Sequence, residues 1–146
     1  MYTTKASSGA AGGSGGTVLD NKLNGAEAMV RMLQAHDVRH IFGLCGDTSL
    51  PFYDAMHLLD HDIEHVLTRD ERSAGYMADG YSRVTGRPGI CEGPSGGGAT
   101  YILPGLIESS ESSIATLAIT SDISVSTYGR YPLTEVDQEA LMRPLT

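Results

Sequence analysis

From residue 24 onward the apolar positions alternate between two rhythms. Ala28, Met29, Met32 and Leu33 recur at helical spacing behind Asn24, a capping residue with Glu27 three places on. Val38 to Leu44 then forms a short apolar run that ends in a glycine-rich turn, the mark of a buried strand. Pro51 opens a second helix, continued by Leu50, Tyr53, Asp54 and Leu58, because proline suits a first turn. Ile63 to Leu67 predicts a strand, Arg69 to Val84 a long helix and Gly89 to Cys91 a strand remnant. Ala99 to Ser109 predicts a helix and Ile114 to Ile119 a strand. Residues 127–146 predict a loop with a short helical piece.

Strands that alternate with helices predict a single α/β domain, a doubly wound open parallel sheet with helices on both faces. Ligands of such sheets bind beyond the carboxyl ends of the strands. Three segments fall there: Gly43 to Thr48, Thr68 to Glu71 and Glu92 to Thr100. They are also the segments richest in glycine and polar side chains.

The first 22 residues differ in kind. Ala6 to Gly16 reads ASSGAAGGSGG, too poor in apolar surface to offset the entropy of ordering, and predicts a flexible tail ahead of a domain at 23–146. The net charge is −8, with no cluster of Lys and Arg, which argues against nucleic acid or an anionic membrane as partner. No apolar run reaches the ~20 residues of a membrane span. Two cysteines, Cys45 and Cys91, are too few for a disulfide framework and fit a reducing, cytoplasmic setting. Inert buried thiols are the default reading of both.

Thr68 and Glu71 have the spacing of a capping box, and on spacing alone Glu71 is better read as a helix cap than as a functional carboxyl. Asp47 beside Thr48 reads equally well as a turn residue or as a group facing a ligand. His57 and His61 are four apart on an expected helix, but no glutamate between them and no third ligand favour a metal site, so none is expected. His65, in a strand, is expected to satisfy a local bond.

The order of motifs resembles the acetolactate synthase and pyruvate decarboxylase family of thiamine-diphosphate enzymes. Thr68 to Gly89 (TRDERSAGYMADGYSRVTGRPG) carries a glutamate, an alanine-rich stretch, A-D-G-Y and T-G-x-x-G. Gly25 to Val38 resembles the family's opening helix, Ile41 to Asp47 (IFGLCGD) its F-G-x-P-G turn and Pro94 to Tyr101 its S-G-P-G-A-T-N loop. Leu117 to Ser121 resembles the strand that follows. Leu133 to Asp137 resembles an F-Q-E-x-D element, and Pro144 to Thr146 a closing P-x-T. Residues 24–146 are covered in the family's order.

The resemblance implies a pyrimidine-binding domain. It implies that Glu71 hydrogen-bonds N1′ of the cofactor's aminopyrimidine and so promotes loss of the thiazolium C2 proton, the step before attack on a 2-oxo acid. It puts Cys45 and Gly46 of the turn, and Ser95, Gly96 and Gly97 of the loop, against thiamine diphosphate, with Asp47 facing the substrate. The family's second domain holds magnesium and the diphosphate through G-D-G and a later asparagine. This chain has neither motif, and its last asparagine is Asn24. The expectation is a carboligase or decarboxylase part, inactive alone, that shares its cofactor in a homo-oligomer or with a chain carrying the diphosphate domain. Whether FAD also binds, as in some relatives, is left open. The alternatives are a truncated fragment or a non-catalytic module that keeps the fold. Departures from the pattern are Cys45 for proline in the turn, SGGG for SGPG at Ser95 to Gly98, Tyr101 for asparagine, and Leu133 and Thr134 for the aromatic and glutamine of F-Q-E.

Overall fold

The structure is a computed structural model that describes residues 22–146, so the expected tail falls, but for Lys22, outside the described residues. Four strands, β1 (His40–Gly43), β2 (Glu64–Leu67), β3 (Gly89–Gly93) and β4 (Thr116–Thr120), form one parallel sheet in the order β2-β1-β3-β4. Helices α1 (Gly25–Ala35), α2 (Leu50–Leu58), α3 (Glu71–Thr85), α4 (Gly97–Tyr101), α5 (Leu103–Glu111) and α6 (Gln138–Met142) supply the crossovers and the closing segment.

Alternation along the central strands creates two cores. Ile41 and Ile90 point to one face, where they meet Val30 and Leu33 of α1 and Phe52 and Ala55 of α2. Phe42 and Cys91 point to the other, against Ala74 and Ala78 of α3 and Ile102 and Leu106. Both faces are therefore covered, as the sequence pattern requires. The α3 face is unusually close. A side-chain carbon on Gly89 would stand 1.9 Å from the Ala78 carbonyl oxygen, and one on Gly105 would stand 2.4 Å from the Gly75 carbonyl carbon.

Several boundaries differ from the sequence pattern. The helix expected over Ala99 to Ser109 is two helices, α4 and α5, joined at Ile102. Pro104 has no N–H to donate, so the ladder is interrupted there. A short 3-10 turn (Asp47–Ser49) precedes α2. The strand remnant at Gly89 is a full five-residue strand that runs on through Glu92, whose residue is entirely buried. An ionisable side chain ending an apolar strand hid that extension. His61 lies beyond the end of α2, so it and His57 do not share a helix face. It accepts from the Ile63 N–H and bonds the Met56 carbonyl at 2.7 Å instead, an end-of-helix role.

Candidate functional site

The three glycine-rich segments meet at the carboxyl edge of the sheet. The turn after β1 packs on the loop after β3: a side-chain carbon on Gly46 would be 2.6 Å from Pro94 Cβ. The Ser95 N–H donates to Thr48 Oγ1 at 2.9 Å, fixing the loop against the turn. Gly96 has φ +66°, a left-handed conformation suited to glycine. Pro94 also covers Gly98, where a side-chain carbon would be 2.4 Å from Pro94 Cδ.

Glu71 opens α3 at this edge. The cap reading of Glu71 is corrected by the helix start. The N-cap is Asp70, whose side chain accepts from the Arg72 N–H at 2.9 Å. Thr68 is turned inward, and its hydroxyl and its N–H both donate to the Gly43 carbonyl, tying β2 to β1. Two residues of spacing thus belong to a strand end, and the cap falls to the acid next to Glu71. Glu71 is left half-buried, with Oε1 3.4 Å from the point that a side-chain carbon on Gly98 would occupy. The guanidinium of the adjacent Arg72 is engaged elsewhere, paired with both Asp70 oxygens and stacked over the Tyr101 ring at 5.8 Å. That pairing holds the Asp70 carboxyl at about 2, well below the usual carboxylate range.

The other sequence-predicted residues lie in the turn after β1 and the loop after β3. Cys45 and Asp47 are exposed in the turn, Gly46 is half-buried beneath Pro94, Ser95 is buried, and Gly97 is exposed at the start of α4. Burial and the neighbouring Glu92 carboxyl push the Cys45 thiol up. Cys91 is buried on the α3 face and pushed up to about 12 by its desolvation. Both cysteines are free.

Sequence reasoning missed two features. Thr134, read only as part of a family element, bonds Ser95 Oγ at 2.6 Å and fills the space beside Gly96. Glu92, at the end of β3, is a second carboxyl at this edge. Its Oε2 accepts from Tyr53 Oη at 2.5 Å, its Oε1 has no hydrogen-bond partner, and burial raises its proton affinity, with Glu71 adding to the rise. An acid between Cys91 and Gly93 in an otherwise uncharged strand was the available signal. His65 does satisfy a local bond, to Tyr53 Oη at 2.7 Å.

A groove of about 850 Å³ lies away from this edge, between α1 and β4, lined by residues such as Met29, Met32, Leu117 and Ile119. Among the described residues, no group of three or more His, Cys, Asp or Glu is placed to hold a metal ion, and no helix is long and apolar enough to cross a membrane.

A parallel α/β sheet with a glutamate at its carboxyl edge, between two glycine turns, has the architecture of a ligand-binding α/β domain. Residues 23–141 match the family model for the thiamine pyrophosphate enzyme, N-terminal TPP binding domain. The chain belongs to that family. It is 40% identical over 123 residues to a probable acetolactate synthase large subunit of Methanococcus aeolicus, covering 84% of this chain and 20% of the relative. It is 40% identical over 115 residues to the acetolactate synthase isozyme 2 large subunit of Escherichia coli K12, covering 79% and 21%. It is 37% identical over 126 residues to an acetolactate synthase of Arthrospira platensis, covering 85% and 22%. The chain thus spans about a fifth of the length of these curated relatives.

The site's chemistry fits an aminopyrimidine. Glu71 offers a carboxyl freed from capping, a group able to pair with a ring nitrogen, and the side-chain-free Gly98 lets Pro94 close against the loop beside it.

Proposed function

We propose that this chain forms the pyrimidine side of a thiamine-diphosphate site in an acetolactate synthase-like carboligase or decarboxylase acting on 2-oxo acids. The carrying observation is the freedom of Glu71: Asp70 caps α3, so the Glu71 carboxyl faces the glycine loop instead of its own helix start. The bound cofactor supplies the carbanion chemistry at its thiazolium C2. This chain's residues orient and exclude. Glu71 holds or yields a proton at the aminopyrimidine N1′. Cys45 and Gly46 on one side, and Ser95, Gly96 and Gly97 on the other, shape the walls. Asp47, exposed beyond the turn, faces the substrate. Magnesium and the diphosphate are held by a second domain, contributed by another copy of a longer chain or by a partner subunit. The two unbridged cysteines support a reducing, cytoplasmic setting.

Reconstitution tests the proposal. The chain is mixed with a diphosphate-binding domain of an acetolactate synthase, thiamine diphosphate and magnesium, and pyruvate turnover is followed. Activity is expected with the wild type and a loss of ~10²-fold or more with Glu71→Gln. Full activity in that variant contradicts the role of Glu71. A reconstituted complex that binds cofactor but never turns over supports the non-catalytic reading instead.

A further inference from the structure

Three side chains from three elements form a continuous line under the candidate site. Glu92 ends β3, Tyr53 lies on α2 and His65 lies on β2. Tyr53 Oη is 2.5 Å from Glu92 Oε2 and 2.7 Å from His65 Nε2. Glu92 is fully buried, Tyr53 and His65 half-buried. The inner end sits directly beneath the turn after β1, since a side-chain carbon on Gly43 would be 2.9 Å from Glu92 Oε2.

Counting hydrogens shows what the line can do. The tyrosine hydroxyl has one proton and can donate in one direction only. In one state Glu92 is protonated and donates to Tyr53 Oη, Tyr53 donates to His65 Nε2, and the imidazole keeps its hydrogen on Nδ1. In the other state Tyr53 donates to an ionised Glu92, and His65 donates from Nε2 to Tyr53 Oη. Passing from the first to the second moves the Glu92 proton to Tyr53, the Tyr53 proton to His65 Nε2, and releases the Nδ1 proton outside the line. One O–H bond breaks and one forms at Tyr53, one N–H bond forms and one breaks at His65, and the net change is one proton lost from Glu92. No co-reactant is needed.

We propose that Glu92, Tyr53 and His65 are a proton wire that connects a buried carboxyl at the candidate cofactor site to the imidazole on β2. Its use in cofactor chemistry rests on the function proposed above; the wire itself does not. The groups that face Glu92 suit this task. Tyr53 is raised by burial and by Glu92, His65 is lowered by burial, and Cys45 in the turn is raised by burial, so each is shifted toward its neutral form. Cys91, next to it on the strand, is likewise raised. Burial raises Glu92 itself, the Tyr53 and Ser49 hydroxyls offset part of this, and Glu71 on α3 adds to it, with no cation among these influences. A charge on Glu71 therefore keeps the proton on Glu92, and loss of that charge makes it available. Glu92 Oε1 is buried without a hydrogen-bond partner, so the proton leaves through Oε2 and Tyr53.

The test is a pH titration of the full chain without cofactor, reading the Glu side-chain carboxyl carbons by ¹³C NMR and the His65 ring nitrogens by ¹⁵N NMR. In the wild type one glutamate should titrate above the ordinary carboxylate range, and His65 should change from the Nδ1–H to the Nε2–H tautomer with the same midpoint. Tyr53→Phe should keep the glutamate transition and abolish the tautomer change. Glu92→Gln should abolish both. Should that variant fail to fold, the wild type and Tyr53→Phe decide the matter alone. Glu71→Gln should lower the Glu92 midpoint. A His65 tautomer that is constant across the transition, or that still changes in Tyr53→Phe, overturns the wire. A Glu92 midpoint that ignores Glu71→Gln overturns its link to the site. Because no thiamine diphosphate is present, these outcomes stand apart from any failure of the reconstitution experiment.

Discussion

Glu71 Oε1 lies 3.4 Å from the point where a side-chain carbon on Gly98 would stand, and the same point is 2.4 Å from Pro94 Cδ. The glycine loop is therefore shaped by a missing side chain at one position. Gly98→Ala should force Pro94 and the loop apart, at about 1–3 kcal/mol of stability, and weaken cofactor binding in the reconstituted complex. Gly97→Ala is the control. Its nearest neighbour would be Tyr101 Cε2 at 3.8 Å, so urea unfolding should move by less than ~0.5 kcal/mol. Equal losses of stability in both variants would contradict this reading of the loop.

The α3–α5 contact is made by backbone. A side-chain carbon on Gly105 would meet the Gly75 carbonyl carbon at 2.4 Å, and one on Gly75 would meet the Ile102 carbonyl oxygen at 2.9 Å. Neither can be relieved by a rotamer change. Gly105→Ala should cost about 1–3 kcal/mol in urea or thermal unfolding and should tilt α3, carrying Glu71 with it. Gly80→Ala, on the same helix with nothing within 4 Å, should be neutral or slightly stabilising.

Asp79 ties α3 to α5 with polar bonds. It is almost fully buried, accepts from Arg83 Nε at 2.6 Å and from Ser109 Oγ at 2.9 Å, and Arg83 holds its carboxyl below the usual range. Asp79→Leu should cost about 1–3 kcal/mol, since the Ser109 hydroxyl and the Arg83 guanidinium both lose an acceptor. Because the folded value is depressed, the contribution of Asp79 is present above its ordinary 3.8 and fades as pH falls through the folded value. The difference in unfolding free energy between wild type and variant should accordingly shrink in acid.

Glu92 has the opposite sign. Its proton affinity is raised in the fold from an ordinary value of 4.5. Below that value both states are protonated and Glu92 makes no difference between them. As pH rises from there toward the folded value, the unfolded chain releases its proton first and the fold loses stability. Glu92→Gln should remove that loss. Urea melts from pH ~4.5 to 8 should show a decline in wild-type stability that is flatter in the variant. A parallel pair of curves would show that the fold does not raise the proton affinity of Glu92.

The sheet, its helices and the three edge segments were legible because amphipathic periods and glycine turns are local signals. The α4–α5 junction was not read, although Pro104 marked it, because the apolar stripe runs on through Ile102 and Leu106. The Glu71 site was half legible. Its position was written in the motif, but T-x-x-E spacing competes with D-E, and only the geometry shows that Thr68 bonds the Gly43 carbonyl while Asp70 caps the helix. The Glu92–Tyr53–His65 line joins residues 39 and 12 positions apart, a contact that no local pattern encodes.

The most direct test of Glu71 is the rate at which the C2 proton of bound thiamine diphosphate exchanges with deuterium, followed by ¹H NMR in the complex with a diphosphate-binding domain. Wild type should exchange at least ~10²-fold faster than Glu71→Gln at equal cofactor occupancy. Equal rates in the two complexes would contradict the assignment of Glu71 as the carboxyl that activates the cofactor.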